Sequence, residues 1–489
     1  MKKINDCLDW IGRFVVITVV VFGLWLFGAW EMWYFWPFVA LLSIGLIVLG
    51  LKGILFVLSR SEKLDIDFNK LFKNKVFIVC FLAYIPFLVY AFILFLNTEV
   101  VMVAERSLLL FVTPVVLVAL TSYCFDSFWR SRLYKIIFFN LLIFGIYGIA
   151  NYFITSNNYV LWRFWDHYQE LSNNRASGSL FCPDHFSAVM EFLFCMGIGL
   201  LFTKQTSKVS IILGSMASVI GVTGVILSKS RGGGLTMIVL FVAILIWGFS
   251  QLKFTKNILN KISIICVVLV VAFVFIKSDI GYSQRFRKYF VVKNIPQNEN
   301  VVKHYLHRMS LTSRGRMFCG AWRAWQSSPV VGIGPGMHQV VWSRFAASSD
   351  GNREKAEWPS VTNVNFHSYE VHNDWLQLLE EYGTVGIILF LIPFSLVFVM
   401  LRKKFLLCSK VRLNQIQFSW FDNFPHDSIQ LGSLLCFISI SFHCLGDFNL
   451  QIPGVLWTLT GIIGVGLTTF DLQYKRVRKS KRDELISSG

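Results

Sequence analysis

Apolar residues run along this chain in long blocks separated by short basic connections. The blocks show neither the two-residue alternation of a half-buried strand nor the one-sided stripe of a surface helix. Blocks such as FVVITVVVFGLWLFGAW (residues 14–30) and ISIICVVLVVAFVFI (262–276) hold no charged residue. Segments of this length and polarity belong in lipid, where only a helix satisfies every backbone N–H and C=O within the segment. The blocks predict about twelve transmembrane helices, near residues 11–29, 33–58, 76–97, 107–123, 135–156, 180–202, 208–228, 233–250, 261–277, 383–401, 430–446 and 453–470. The fold expected is all-α, a polytopic integral membrane protein. Lys2 and Lys3 precede the first block as they would in a secretory signal, but no small-residue cleavage site follows before WEMWYFWPF. That block reads as a retained first helix.

Composition agrees, since 55% of residues are hydrophobic and 16% aromatic, above the range of soluble domains. The formal net charge of +18 raises nucleic acid as a partner. The distribution of the charge argues otherwise. With the N-terminus inside, alternate connections carry Arg60, Lys63, Lys70, Lys73 and Lys75, then Arg130, Arg132 and Lys135, then Lys204 and Lys208. Lys253, Lys256 and Lys261 follow, then Arg402, Lys403, Lys404, Lys410 and Arg412, and finally the tail KRVRKSKR from Lys475 to Arg482. Basic residues collect in cytoplasmic connections, so this pattern places both termini in the cytoplasm and explains much of the charge without nucleic acid. Ten cysteines are scattered without a CxxC spacing, which speaks against a disulfide framework or a zinc site.

Four regions follow: nine helices in residues 1–277, a long non-cytoplasmic loop in 278–382, three helices in 383–470 and a basic cytoplasmic tail in 471–489. The loop is too long for an ordinary connection and suggests a functional lid or small domain. Within it RGRMFCGAWRAW and YEVHNDWLQLLEEYG have helical spacing, interrupted by SSPVVGIGPG, which reads as a turn. Basic residues outnumber acidic ones there, against the topological trend, and the excess invites an anionic ligand.

Several polar residues are candidates for chemistry. Arg231, in SKSRGGG, sits beside glycines that would let a backbone or ligand approach, and reads either as a snorkelling side chain or as a clamp on phosphate. Arg314 and Arg316 open the first loop helix; each alone is as readily a solvated basic residue. Together with Arg231 they could bind a pyrophosphate and stabilise it as a leaving group. His372 precedes an amphipathic stretch at the water boundary, where it is either structural or a general base for a sugar hydroxyl. Asp447 is a helix-end cap, a partner for an arginine, or a catalytic acid. The GIGPG segment lacks the lysine and Ser or Thr of a phosphate loop. No short metal-ligand spacing is evident, so no metal and no cofactor is expected.

These strings, in this order, resemble the O-antigen ligase and polymerase superfamily of bacterial envelope glycosyltransferases. HNDWLQLLEEYGTVG matches the family pattern through His372, Asn373, Gly383 and Gly386. SRGGG (230–234), Arg314 followed by PVVGIGPG, ASGSLFCPDHFSAVMEF (176–192) and GDFNLQIP (446–453) surround it; the family usually has Asn-His where this chain has Asp184 and His185. The resemblance implies a GT-C type transferase that takes glycan from an undecaprenyl-diphosphate carrier at the periplasmic face of the bacterial inner membrane, without a metal. It implies that Arg231 and Arg314 bind the diphosphate and that His372 is the base. Arg316 competes for the place of Arg314, and Arg175, His185, Asn373 and Asp447 join Arg316 as candidate substrate-binding residues. The implied acceptor is lipid A core for a ligase or a second lipid-linked glycan for a polymerase; a protein hydroxyl is the third option. A flippase or transporter would also have a dozen helices, but its ionisable residues would lie deep in the spans instead of at one face.

Overall fold

The computed structural model describes residues 2–61, 75–155, 175–180, 182–202, 207–251, 310, 312–347, 368–410 and 424–468. Among these the regular elements are helical: α1 (Lys2–Trp25), α2 (Met32–Ser61), α3 (Lys75–Leu96), α4 (Val101–Cys124), α5 (Ser127–Thr155), α6 (Pro183–Leu201) and α7 (Lys208–Ser228). They continue with α8 (Arg231–Gln251), α9 (Ser313–Ser327), α10 (His338–Ala347), α11 (Asp374–Lys410), α12 (His426–His443) and α13 (Pro453–Thr468). Eleven of the twelve expected spans coincide with one of these helices; the one at 261–277 lies outside the described residues. Eight of the described helices are long and apolar enough to cross a membrane, and the chain is a multi-pass membrane protein.

Two boundaries differ from the hydropathy reading for reasons of packing. The first apolar block continues to Trp30, yet α1 stops at Trp25, and Phe27, Gly28 and Ala29 all take positive φ. A Cβ on Gly28 would lie 2.8 Å from Ile452 and 2.9 Å from Leu180, so the chain turns here to fit beneath both. The amphipathic stretch and the tenth expected span are one element, α11, interrupted at Gly383 (φ 67°, ψ −173°).

Helix α6 is the axis of the bundle. All nineteen of its residues are buried, packed by α5, α7, α8, α12 and α13. Small residues permit this: a Cβ on Gly197 would lie 2.8 Å from Gly214 O, and one on Gly199 would lie 2.5 Å from Ser428 O. Because α6 meets protein on every side, it can carry Asp184, His185, Ser187 and Glu191 at little cost. On α2, α3 and α11, residues such as Ile47, Leu82 and Ile392 point outward, as lipid-facing positions do.

At one end of the bundle, basic side chains close helix C-termini. Arg13 Nε donates to Cys124 O (2.8 Å), Arg130 Nη1 to Thr468 O (2.7 Å), Arg130 Nη2 to Ser122 O (2.8 Å), and Lys404 Nζ to Leu467 O. The terminal carbonyls of α4 and α13 thereby gain partners. Arg130 and Lys404, counted from sequence among loop charges, are in fact buried caps. The opposite end holds the site.

Candidate functional site

Several chain segments meet there: the residues around Arg175, the starts of α6, α8, α9 and α11, and the connection between α12 and α13. Asp374 N donates to Cys444 O (3.0 Å) and Asp447 O (3.3 Å), and Leu450 N donates to Asp374 Oδ2 (3.0 Å), which pins the start of α11 to that connection. Asn373 caps α11 through Leu376 N (3.0 Å). The side-chain oxygen of Asn373, a candidate substrate-binding residue, thus serves as the helix cap. Immediately before it, His372 has φ +59°, a left-handed conformation uncommon for a residue with a side chain.

At the centre lies Asp447, with no exposed surface. Its Oδ1 is 3.1 Å from His372 Nδ1 and accepts from Phe448 N (3.0 Å), while its Oδ2 accepts from Arg314 Nη2 (3.3 Å). The same Nη2 donates to Asp184 Oδ2 (3.0 Å), and Nη1 donates to Gly446 O (2.8 Å). Arg175 approaches from the other side, with Nη2 2.7 Å from Asp184 Oδ1 and Nε 2.7 Å from Ser228 O. Two arginines and two carboxylates thus form one network. Arg316, two residues beyond Arg314, makes none of these contacts, because two residues turn an α-helix by about 200° and place it on another face.

Arg231 is the first residue of α8, and Ser230 caps that helix by accepting from Gly233 N (3.1 Å). The Ser230 hydroxyl also hydrogen-bonds Asp184, which brings Arg231 to the edge of the network. Its glycines serve packing rather than ligand approach. A Cβ on Gly232 would lie 2.9 Å from His443 and one on Gly233 only 1.9 Å from Ser187 Oγ. Beneath them His443 Nδ1 is 2.8 Å from Glu191 Oε1, and Ser439 Oγ donates to Glu191 Oε2 (2.6 Å), a buried pair that supports the α8 terminus from below.

Burial alone would raise the Asp447 carboxyl, but the Arg314 charge and the hydrogen bond from His372 outweigh it and hold the group well below the usual carboxylate range. An ionised Asp447 can only accept, so Nδ1 of His372 carries a proton, and in the neutral ring the lone pair is on Nε2. The His372 side chain is 25% exposed. Its ring stands edge to face against Phe448 at 4.6 Å, and the His185 ring meets Phe448 at 4.5 Å. His185, buried, is tied through Nδ1 to Asn449 (2.9 Å). It therefore braces Phe448 and, through it, His372.

The GIGPG turn closes the break in α11. Ile333 N and Gly334 N donate to Glu380 O and Glu381 O, both at 3.0 Å, while Thr384 N and Val385 N donate to Pro329 O (2.9 Å) and Val330 O (3.2 Å). Four backbone groups beside the break at Gly383 are thus taken up by the turn, and Tyr382 O accepts from Tyr90 Oη (3.0 Å). Below the site, an apolar cavity of about 220 Å³ runs among α3, α4, α11 and α13, lined by Phe81, Phe111, Phe390 and Leu456 and reaching Asp374.

Sequence reasoning placed Asp184 only as a departure from a family pattern and missed Ser230 and Phe448. An acid after a proline at a helix start reads as a cap, and no spacing relates it to an arginine on α9. Among the described residues no group of three His, Cys, Asp or Glu side chains is gathered as metal ligands.

The site is thus an arginine, carboxylate and histidine network at one end of an all-helical membrane bundle. Residues 216–391 match the O-antigen ligase family model, so this segment is similar to that family and supports a relation to the O-antigen ligase and polymerase superfamily. The matched segment contains Arg231, Arg314 and His372; Arg175, Asp184 and Asp447 reach the same network from outside it. No curated protein matches the chain.

Proposed function

We propose that the protein is a metal-independent, GT-C type glycosyltransferase of the bacterial inner membrane. It moves a glycan from an undecaprenyl-diphosphate carrier to an acceptor hydroxyl at the periplasmic face, with both termini cytoplasmic and residues 278–382 forming the periplasmic region. The observation that carries this reading is that Arg314 and His372 share one carboxylate, Asp447. A cation for a leaving anion and a base with its lone pair exposed are thereby held side by side.

In the reaction, the acceptor oxygen attacks the anomeric carbon and passes its proton to Nε2 of His372. The bond from that carbon to the diphosphate breaks, and its electron pair leaves with the carrier. Arg231 and Arg314 stabilise the charge that develops there, with Arg175 and Asp184 fixing the Arg314 guanidinium. Asp447 keeps the imidazole in the required tautomer and stabilises the imidazolium that forms. The apolar cavity beneath the site suits a substrate that stays in the bilayer.

The test is transfer from purified undecaprenyl-diphosphate glycan in detergent, without nucleotide sugar and with EDTA present. Lipid A core and a second lipid-linked glycan are offered separately. Glycosylated lipid A core would make the protein a ligase, and lengthening chains a polymerase. Transfer to neither, but to a protein hydroxyl, would make it an O-oligosaccharyltransferase; absence of transfer to all three would overturn the reading in favour of lipid-linked sugar transport.

A further inference from the structure

Behind the loop that carries His372 lies a second buried polar cluster with no part in the reaction just derived. His338, the first residue of α10, has no exposed surface. Its Nδ1 is 2.8 Å from Glu380 Oε2, and its Nε2 is 3.2 Å from Ser368 Oγ. Ser368 Oγ donates its one proton to Glu370 O (2.9 Å), so it must accept from Nε2–H of His338, and one proton is shared between Nδ1 and Glu380. The order of serine, histidine and carboxylate is that of hydrolytic triads. Here the serine is 2% exposed and its proton is directed at a backbone carbonyl, so it meets no substrate.

What the cluster fixes is backbone. Val371 N donates to Gln377 Oε1 (3.1 Å), and Gln377 Nε2 donates to Glu370 Oε2 (2.5 Å) and Glu381 Oε1 (3.2 Å). Glu381 Oε2 in turn accepts from Gly336 N (2.9 Å), just before α10. The start of α10 is therefore tied to the first turns of α11 through Glu380 and Glu381, and the 368–371 segment is tied to both helices. The next residue is His372 in its left-handed conformation, which surroundings must enforce.

We propose that His338 is a positioning residue for glycan transfer: with Glu380 and Ser368 it holds the 368–371 segment so that His372 keeps its left-handed backbone and presents Nε2 to the acceptor. The inference rests on the reading of His372 as the base. His338 itself touches no substrate. It acts through buried hydrogen bonds, whose loss leaves paired groups without partners and lets the segment shift.

Two measurements on the full chain in detergent test this. One needs no substrate: the rate at which diethyl pyrocarbonate modifies His372, followed by mass spectrometry. The other is steady-state transfer with kcat and KM separated. In His338→Ala we expect the labelling rate of His372 to change about threefold or more, and kcat to fall about tenfold or more with both KM values within about twofold. His338→Gln, whose amide can still donate to Ser368, should recover part of the loss. Adding His338→Ala to His372→Ala should cost nothing further, since the first acts only through the second.

Unchanged labelling or unchanged kcat in a folded His338→Ala protein would overturn the proposal, as would a rise in KM that accounts for the loss or an additive loss in the double variant. Should His338→Ala not fold, Ser368→Ala removes the loop anchor alone and is read in the same way. A wild-type protein that transfers no glycan would defeat the functional reading, whereas the labelling rates would still decide the positioning.

Discussion

Oδ1 of Asp447 lies 3.1 Å from Nδ1 of His372, at the end of a contact that spans 75 residues of chain. Asp447 is enclosed and His372 partly open, so one member of the pair is surrounded by protein while the other remains accessible. That asymmetry separates their proposed roles. In the proposed reaction the carboxylate sets the tautomer, and the imidazole accepts the proton.

Asp447→Asn keeps the shape of the side chain but removes the charge that makes Nδ1 the protonated nitrogen. An amide can present its NH₂ to Nδ1 and turn the proton to Nε2, where it blocks the base. We expect kcat to fall by about 10²–10⁴-fold with the protein still folded. Initial rates of glycan transfer decide this, and a loss under about threefold would remove Asp447 from the mechanism.

Arg314 and Arg316 compete in sequence but not in space. Arg314 bridges Gly446 O, Asp184 and Asp447 with a planar fork that a lysine ammonium cannot reproduce. Arg314→Lys should lower kcat by about 10²-fold, whereas Arg316→Ala should stay within about threefold of wild type. The reverse order of effects would show that the α9 register has been misassigned to function.

Gly383 has a backbone conformation open essentially to glycine alone, and a Cβ there would lie 2.3 Å from Val330 O. Gly383→Ala should destabilise the protein by about 1–3 kcal/mol from backbone strain, with the steric clash adding to it. Thermal melting in detergent measures this, and an unshifted transition would mean that the turn at 329–334 does not clamp the break.

Burial pushes the Glu370 carboxyl up from its ordinary value, against the hydrogen bond from Gln377 and the charges of His338 and Arg106. A carboxyl raised in the folded state favours folding while protonated, so stability falls as pH rises from the unfolded value of about 4.3 up to the folded one, then levels off. Glu370→Gln removes that titration and retains an acceptor for Gln377. Wild type and variant should melt alike at about pH 4, and the variant should melt higher above the folded value. Parallel curves across the range would show that Glu370 does not titrate between the two states.

Much of the fold was legible because lipid leaves few choices. A charge-free block such as residues 14–30 favours a helix in lipid, and eleven of the described helices fall where the blocks predicted them, whereas α10 had no such block. The departures occur where side chains far apart in sequence collide, as at Gly28 beneath Leu180 and Ile452. The site was legible in part. Arg231, Arg314 and His372 stand in recognisable strings, but the sequence left open whether the glycines after Arg231 admit a neighbouring part of the chain or a ligand, and it is His443 and Ser187 that pack against them.

By itself, then, the sequence determined a helical membrane chain and named the side chains able to bind an anion and accept a proton, because hydropathy and residue chemistry are local properties. Tertiary structure alone placed Arg314, and not Arg316, in the network and joined Asp184 to Arg314 across 130 residues. It also set Asp447 between Arg314 and His372 and tied His338 to Ser368 in the segment that leads to His372. These pairings arise where helix ends converge, and a buried charge there is stable only beside the partner that packing delivers to it.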